Sequence, residues 1–272
     1  MNKILFVMFQ GAGTAVNISG NSSKFCVWQN DTKFLNKLKK IGDIFVYQNK
    51  LYNVNHYDKS NPDFDDYEPD INFNVDYLDM DKHIEMIYNI IKKYKGKFVP
   101  VGWSVGGLFA LAFAKKYESR CKLCILLDSV IITPKALKCR IAEYKKRKLM
   151  KKLTNINLKK IQYNIIKTGD KNDIKLLIDT VMHRWTIWIK NNIKKLPIKT
   201  LSFSNIDIPC LSSDKCFNSI LRINEQKLLS KSKNYQYYNY INKGHFLGLE
   251  HQDVATDIIK KLNTFLENTR SD

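Results

Sequence analysis

The sequence predicts an α/β fold: a mostly parallel sheet of about six strands flanked by helices, with a helical insertion. Three observations carry that expectation. Short β-branched and aromatic runs alternate with longer segments of helical period along the chain. Glycine-containing turns follow two of those runs, at Gln10-Gly11-Ala12-Gly13 and at Gly102-Trp103-Ser104-Val105-Gly106. No Gly/Ser-rich or Pro-rich linker divides the 272 residues, so a single domain over 1–272 is expected.

The elements follow in order. Residues 4–9 are six apolar residues after Met1-Asn2-Lys3, too short for the usual apolar stretch of about 7–15 in a secretory signal, so 3–9 reads as a buried first strand. A helix is expected around 23–40, closing near Gly42, then a strand over 43–47 and a long irregular excursion over 49–78. Met80, Ile84, Ile87, Ile91 and Tyr94 recur at helical spacing, and Gly96 stops that helix. The next strand spans 97–101, the turn 102–106, a small-residue helix 108–117 and an apolar strand 122–127. Two or three Lys-rich helices are expected over 134–195. Strand 208–211, helix 219–230 and strand 235–240 come next, and Val254, Ile258, Leu262 and Phe265 mark a last amphipathic helix.

Composition narrows the class. Hydrophobic residues make up 44%, with 14 Phe and 14 Tyr, enough to build a core. No apolar run reaches the roughly 18 residues of a membrane span. Six Cys without a secretory signal read as free thiols in a reducing, cytoplasmic setting. Cys121 and Cys124 resemble half a metal site, but no second half has the right spacing, so neither metal nor cofactor is expected. The net charge of +19 is concentrated: residues 130–200 hold 19 Lys/Arg against 4 Asp/Glu. Residues 58–81 are the counterpart, with nine acids and one Lys.

The chemistry centres on Ser104. A Gly-x-Ser-x-Gly pentapeptide gains meaning when it follows a strand and opens a helix, as expected here. Such a turn forces the Ser to expose its Oγ, and small residues at 102, 106 and 107 let the backbones approach. The helix N-terminus favours developing negative charge. A serine nucleophile needs a base, and His245, between the last strand and the last helix, fits the chain order Ser…acid…His. His251 lies where the last helix begins, His56 and His83 precede the serine, and His183 falls in the basic segment.

The acid that orients the base is expected at Asp214, with Asp128 as the alternative. Asp207 precedes the strand expected at 208–211 and would stand at the opposite edge. Two backbone donors are needed for an oxyanion: Val105, after the nucleophile, and Ala12 in the first glycine turn, with Gly11 or Gly13 as other choices. Gln10, Gly11, Trp103, Trp185 and Trp188 are candidate pocket residues. Trp185 and Trp188 share a helical face, which serves either to wall an acyl pocket or to pack the insertion on its body.

These motifs resemble the α/β-hydrolase superfamily, over most of the chain and in order: glycine turn after a strand, nucleophile elbow, helical insertion, acid after a strand, His before the last helix. Gly102-Trp103-Ser104-Val105-Gly106-Gly107-Leu108 is similar to the elbow of small carboxylesterases and thioesterases. Gln10 stands where His is commoner, and Leu211-Ser212-Ser213-Asp214 departs from the frequent Gly-x-x-Asp. The resemblance implies a shortened α/β-hydrolase fold in which residues 130–200 form a basic lid. It implies a serine hydrolase acting on an ester or thioester without cofactor or metal. Acyl transfer, amide cleavage and non-catalytic binding on the same fold are the alternatives. For the basic lid the readings are a solvated face, an anionic substrate or membrane surface, or attraction to the acidic 58–81 stretch. Nucleic acid is not expected, because no known module or aromatic stacking pattern accompanies the charge.

Overall fold

The computed structural model describes residues 3–9, 32–47, 79–104, 106–129, 142, 157–168, 171–192, 198–204, 233–240 and 252–268. Strands β1 (Ile4–Phe9), β2 (Asp43–Tyr47), β3 (Lys97–Trp103), β4 (Cys124–Leu127), β5 (Thr200–Ser204) and β6 (Tyr235–Asn239) pair in parallel in the order β2-β1-β3-β4-β5-β6. Parallel strands are covered on both faces, so they read as continuous apolar runs. β1 is the clearest case, buried at all six positions of Ile-Leu-Phe-Val-Met-Phe.

The period-2 alternation of β1 divides the core. Leu5, Val7 and Phe9 face α2 (Met80–Ile91), α3 (Gly106–Lys116) and α5 (Lys171–Asn192). Ile4, Phe6 and Met8 face α1 (Thr32–Lys39) and α6 (Gln252–Asn268). Each fully buried Leu or Phe contributes about 1.5–3 kcal/mol, so these two layers hold the sheet. α2 starts where Asp79 caps it, its carboxylate accepting from the Lys82 amide at 3.0 Å. α3 is buried from Gly106 to Ala114, and its Gly and Ala residues let it lie against β3.

Most expected elements are present. β2 has the expected bounds, β3 runs two residues further than expected, and α3 starts at Gly106 rather than 108. Within the insertion the structure describes α4 (Leu158–Thr168) and α5, which pack on each other. One strand was not anticipated. The strand beside β4 is Thr200–Ser204, a stretch to which the sequence reading gave no element, only Thr200 falling within the 130–200 insertion. Its Ser202 and Ser204 are buried, so hydroxyls occupy positions where apolar residues would have signalled a strand. The expected strand at 208–211, the excursion at 49–78 and the helix at 219–230 lie outside the described residues, as does 23–31 of the first expected helix. Among the described residues no helix is long and apolar enough to cross a membrane.

Candidate active site

The sheet order creates the site's location. From β1 the chain moves outward to β2, then returns across β1 to β3 and proceeds the other way. The carboxyl ends of β1 and β3 therefore flank a topological switch point, where open α/β sheets bind ligands. Phe9, last in β1, is in register with Gly102 of β3, and Ser104 follows directly.

Ser104 is half-buried with φ of 53°, in the left-handed region. A residue with a Cβ pays about 1–3 kcal/mol for such a conformation, so surrounding contacts must enforce it. They are visible. The Ser104 amide donates to the Leu127 carbonyl at 3.1 Å, and the Ser104 carbonyl accepts from the Gly107 amide at 3.1 Å. A Cβ at Gly102 would lie 2.5 Å from both the Gly106 carbonyl oxygen and the Gly107 Cα, so the strand and the helix it feeds cross with no room for a side chain. At Gly107 a Cβ would meet Ser129 at 2.4 Å, and the Ser129 hydroxyl donates to the Gly102 carbonyl at 2.7 Å. The elbow is thus locked against the end of β4.

Asp128, directly after β4, is the other described non-glycine residue with positive φ, 40°, and is wholly buried. Its amide donates to the Phe203 carbonyl at 2.6 Å. It stands at the same edge as Ser104, one strand over. Ser204 ends the next strand, and its buried Oγ has no hydrogen-bond partner among the described residues.

Val105, Gln10, Gly11, Ala12, Asp214 and His245 lie outside the described residues. The ends of the strands around them are described. Gln10 directly follows β1, and His245 falls between Tyr240, whose amide donates to the Ser204 carbonyl at 2.9 Å, and α6. The observed bounds of β5 change the standing of Asp207. It comes three residues after the carboxyl end of β5, and Asp214 comes ten residues after. The signal that would have placed β5 is the Thr-Leu-Ser-Phe-Ser alternation itself.

The candidate tryptophans Trp103, Trp185 and Trp188 are all packed against the body in the structure. Trp103 is buried in the α1/α6 layer. Trp185 is wholly buried, its ring 4.6 Å from Phe109 of α3. Trp188 donates from Nε1 to the Asp81 carboxylate at 2.9 Å, joining the basic insertion to the last residue of the acidic 58–81 stretch. These contacts pack α5 on the body, one of the two roles open to that face.

Cys121 and Cys124 are free and lie at the amino end of β4, the far edge from Ser104. Burial pushes the Cys121 thiol up to about 12 and holds the Cys124 thiol well above its ordinary value. Neither is a thiolate at neutral pH, so neither is a ready metal ligand or nucleophile. Among the described residues no three His, Cys, Asp or Glu side chains group as a metal site.

No protein-family model matches this sequence, and no curated protein matches it. Solved structures do. The peroxisomal α/β-hydrolase Lpx1 of Saccharomyces cerevisiae is 19% identical, with a TM-score of 0.54 over 98% of this chain and 78% of that one. A putative lipase of Acinetobacter baumannii is 18% identical, with a TM-score of 0.53 over 98% and 85%. A carboxylesterase structure from the thaumarchaeon Nitrososphaera gargenis is 10% identical, with a TM-score of 0.55 over 98% and 92%. At these identities the likeness is one of fold. The chain has the α/β-hydrolase fold, and its neighbours in that fold include enzymes named as esterases and lipases.

Proposed function

We propose that the protein is a serine hydrolase that cleaves a carboxylic ester or thioester. The observation that carries this reading is Ser104 held at φ 53° on the β3–α3 elbow, at the switch point of the sheet. A strained, enforced backbone at such a place is a feature of functional sites. The esterase and lipase names of the structural neighbours support the same class.

In this mechanism Ser104 Oγ attacks the acyl carbon as His245 takes its proton, and the tetrahedral oxyanion is held by the amides of Val105 and Ala12. Collapse expels the alcohol or thiol, which takes the proton from His245, and leaves an acyl-enzyme. His245 then deprotonates water as it attacks the acyl carbon, and collapse releases the acid as His245 returns that proton to Ser104 Oγ. An aspartate orients His245 and stabilises its cation. Asp214 and Asp128 are the candidates from sequence, and Asp207 joins them because β5 ends at Ser204. The pocket beside the serine begins at Gln10 and Gly11, and no cofactor or metal takes part. The Lys-rich insertion is proposed to face an anionic substrate or surface, in a cytoplasmic enzyme.

The test combines fluorophosphonate labelling with a panel of p-nitrophenyl and CoA esters of graded acyl length. Wild type should label and turn over, while Ser104→Ala and His245→Ala should do neither at a measurable rate. Labelling with turnover only when an amine or alcohol acceptor is added would assign an acyltransferase instead. Absence of both labelling and turnover would leave a binding protein on this fold.

A further inference from the structure

Tyr47, at the carboxyl end of β2, and His83, in the first turn of α2, are hydrogen-bonded through the phenol oxygen and Nε2 inside the core. His83 is wholly buried. Three aromatic rings from three other elements surround its imidazole: Phe109 of α3 at 4.8 Å, Tyr47 of β2 at 5.3 Å and Trp185 of α5 at 6.4 Å between centroids. Phe9, the last residue of β1, joins the group at 6.1 Å from Tyr47 and 6.3 Å from Phe109. The cluster thus touches both sides of the elbow. Phe9 is in register with Gly102, two residues before Ser104, and Phe109 lies five residues after it. At the rim the Trp188–Asp81 hydrogen bond fastens the same stretch of α5.

Aromatic rings alone would fill this space. A buried polar pair adds a desolvation cost that is recovered only in one geometry, so what it contributes is orientation. We propose that Tyr47 and His83 are positioning residues for the Ser104 centre: their hydrogen bond fixes one docking of insertion helix α5 on α3 and one placement of Phe9 beside the elbow. This rests on the hydrolase reading above. Neither residue touches substrate; both act through Phe9, Phe109 and Trp185. On this view α5 is a fixed wall of the site.

Tyr47→Phe removes a single oxygen and keeps the ring, so it tests orientation with little loss of packing. The kcat and KM for a p-nitrophenyl ester are measured per active site, counted by fluorophosphonate titration, beside amide exchange of peptides spanning 171–192. Tyr47→Phe should lower kcat per titrated site about tenfold, with KM changed less than about twofold, because misplaced reacting groups cost rate more than binding. Exchange over 171–192 should become faster. His83→Gln, which keeps a hydrogen-bonding end, should retain more kcat than His83→Leu. Tyr47→Phe combined with Trp185→Phe should lose less than the product of the two single losses, since both act through one cluster. Wild-type kcat per site in Tyr47→Phe overturns the proposal, and so does unchanged exchange over 171–192. Wild-type protein that the probe leaves unlabelled overturns the hydrolase reading and this inference with it, and is recognised before any variant is made.

Discussion

The strain at Ser104 gives a prediction whose sign, not just its size, is diagnostic. Ser104→Ala and Ser104→Gly both remove Oγ, so both are inactive and differ only in backbone freedom. At an ordinary helix or strand position Gly is less stable than Ala by roughly 0.5–1 kcal/mol, because it loses more conformational freedom on folding. At φ 53° the alanine Cβ carries a left-handed penalty of about 1–2 kcal/mol that glycine avoids. The difference leaves Ser104→Gly more stable than Ser104→Ala by about 1 kcal/mol. For a chain of this size that is about 2–4 °C in Tm. Paired thermal scans and urea titrations of the two variants, with equal m-values, measure it. The fold loses nothing else in the exchange, since the hydrogen bonds that hold this turn use the Ser104 backbone N–H and C=O. If Ser104→Ala proves the more stable of the two, the elbow is not strained and the main support for a nucleophile at 104 is withdrawn.

Three other predictions follow from the same structure. Gly102→Ala should destabilise by about 1–3 kcal/mol and slow fluorophosphonate labelling, because the new Cβ meets backbone atoms 2.5 Å away that have no rotamer to move aside; chemical denaturation and labelling rates report the two effects. Among the acids, one of Asp214, Asp128 and Asp207 should stand out: its Asn variant should cost about ten-thousand-fold in kcat, the loss expected when the base is held in the wrong tautomer, and the other two less than about tenfold; steady-state kinetics decide, and three small losses would overturn the reading of an aspartate behind His245. On the opposite side of the sheet, Asp257 accepts hydrogen bonds from Tyr240, at 2.6 Å, and from Lys261. Burial alone would raise its carboxyl, but those two hydrogen bonds and the charges of Lys261 and Lys260 outweigh it and hold the group below its ordinary value. A carboxylate lowered in the fold stabilises above its unfolded pKa, and that contribution disappears as pH falls through the lower folded value. Asp257→Asn should therefore be less stable than wild type at neutral pH, by under about 1 kcal/mol at this partly exposed pair, with the gap closing in acid unfolding curves below the ordinary carboxylate range.

The apolar strands were legible because a parallel sheet covered on both faces demands continuous hydrophobic runs, and 4–9, 97–103 and 124–127 supply them. The elbow was legible because close crossing of strand and helix admits only glycine at 102 and 107, which leaves a pattern in the sequence. β5 broke that link. Its Ser202 and Ser204 face the core as hydroxyls, so the run looked polar and the more apolar stretch at 208–211 drew the assignment. That unforeseen strand puts Asp207 three residues after a strand end, where the expected strand at 208–211 had put it before a strand. His83 was hidden for a different reason. Chain order set it aside as a base, and helical spacing placed it beside Met80, Ile84 and Ile87 on a face that reads as ordinary core. Its partners come from positions 36 residues before it and 26 and 102 residues after it, at Tyr47, Phe109 and Trp185. No local pattern encodes a contact among four elements. A polar residue at a core position is therefore the kind of signal that composition cannot interpret and packing can: it is tolerated only where something distant satisfies it, and what satisfies His83 is the junction of insertion, sheet edge and elbow helix.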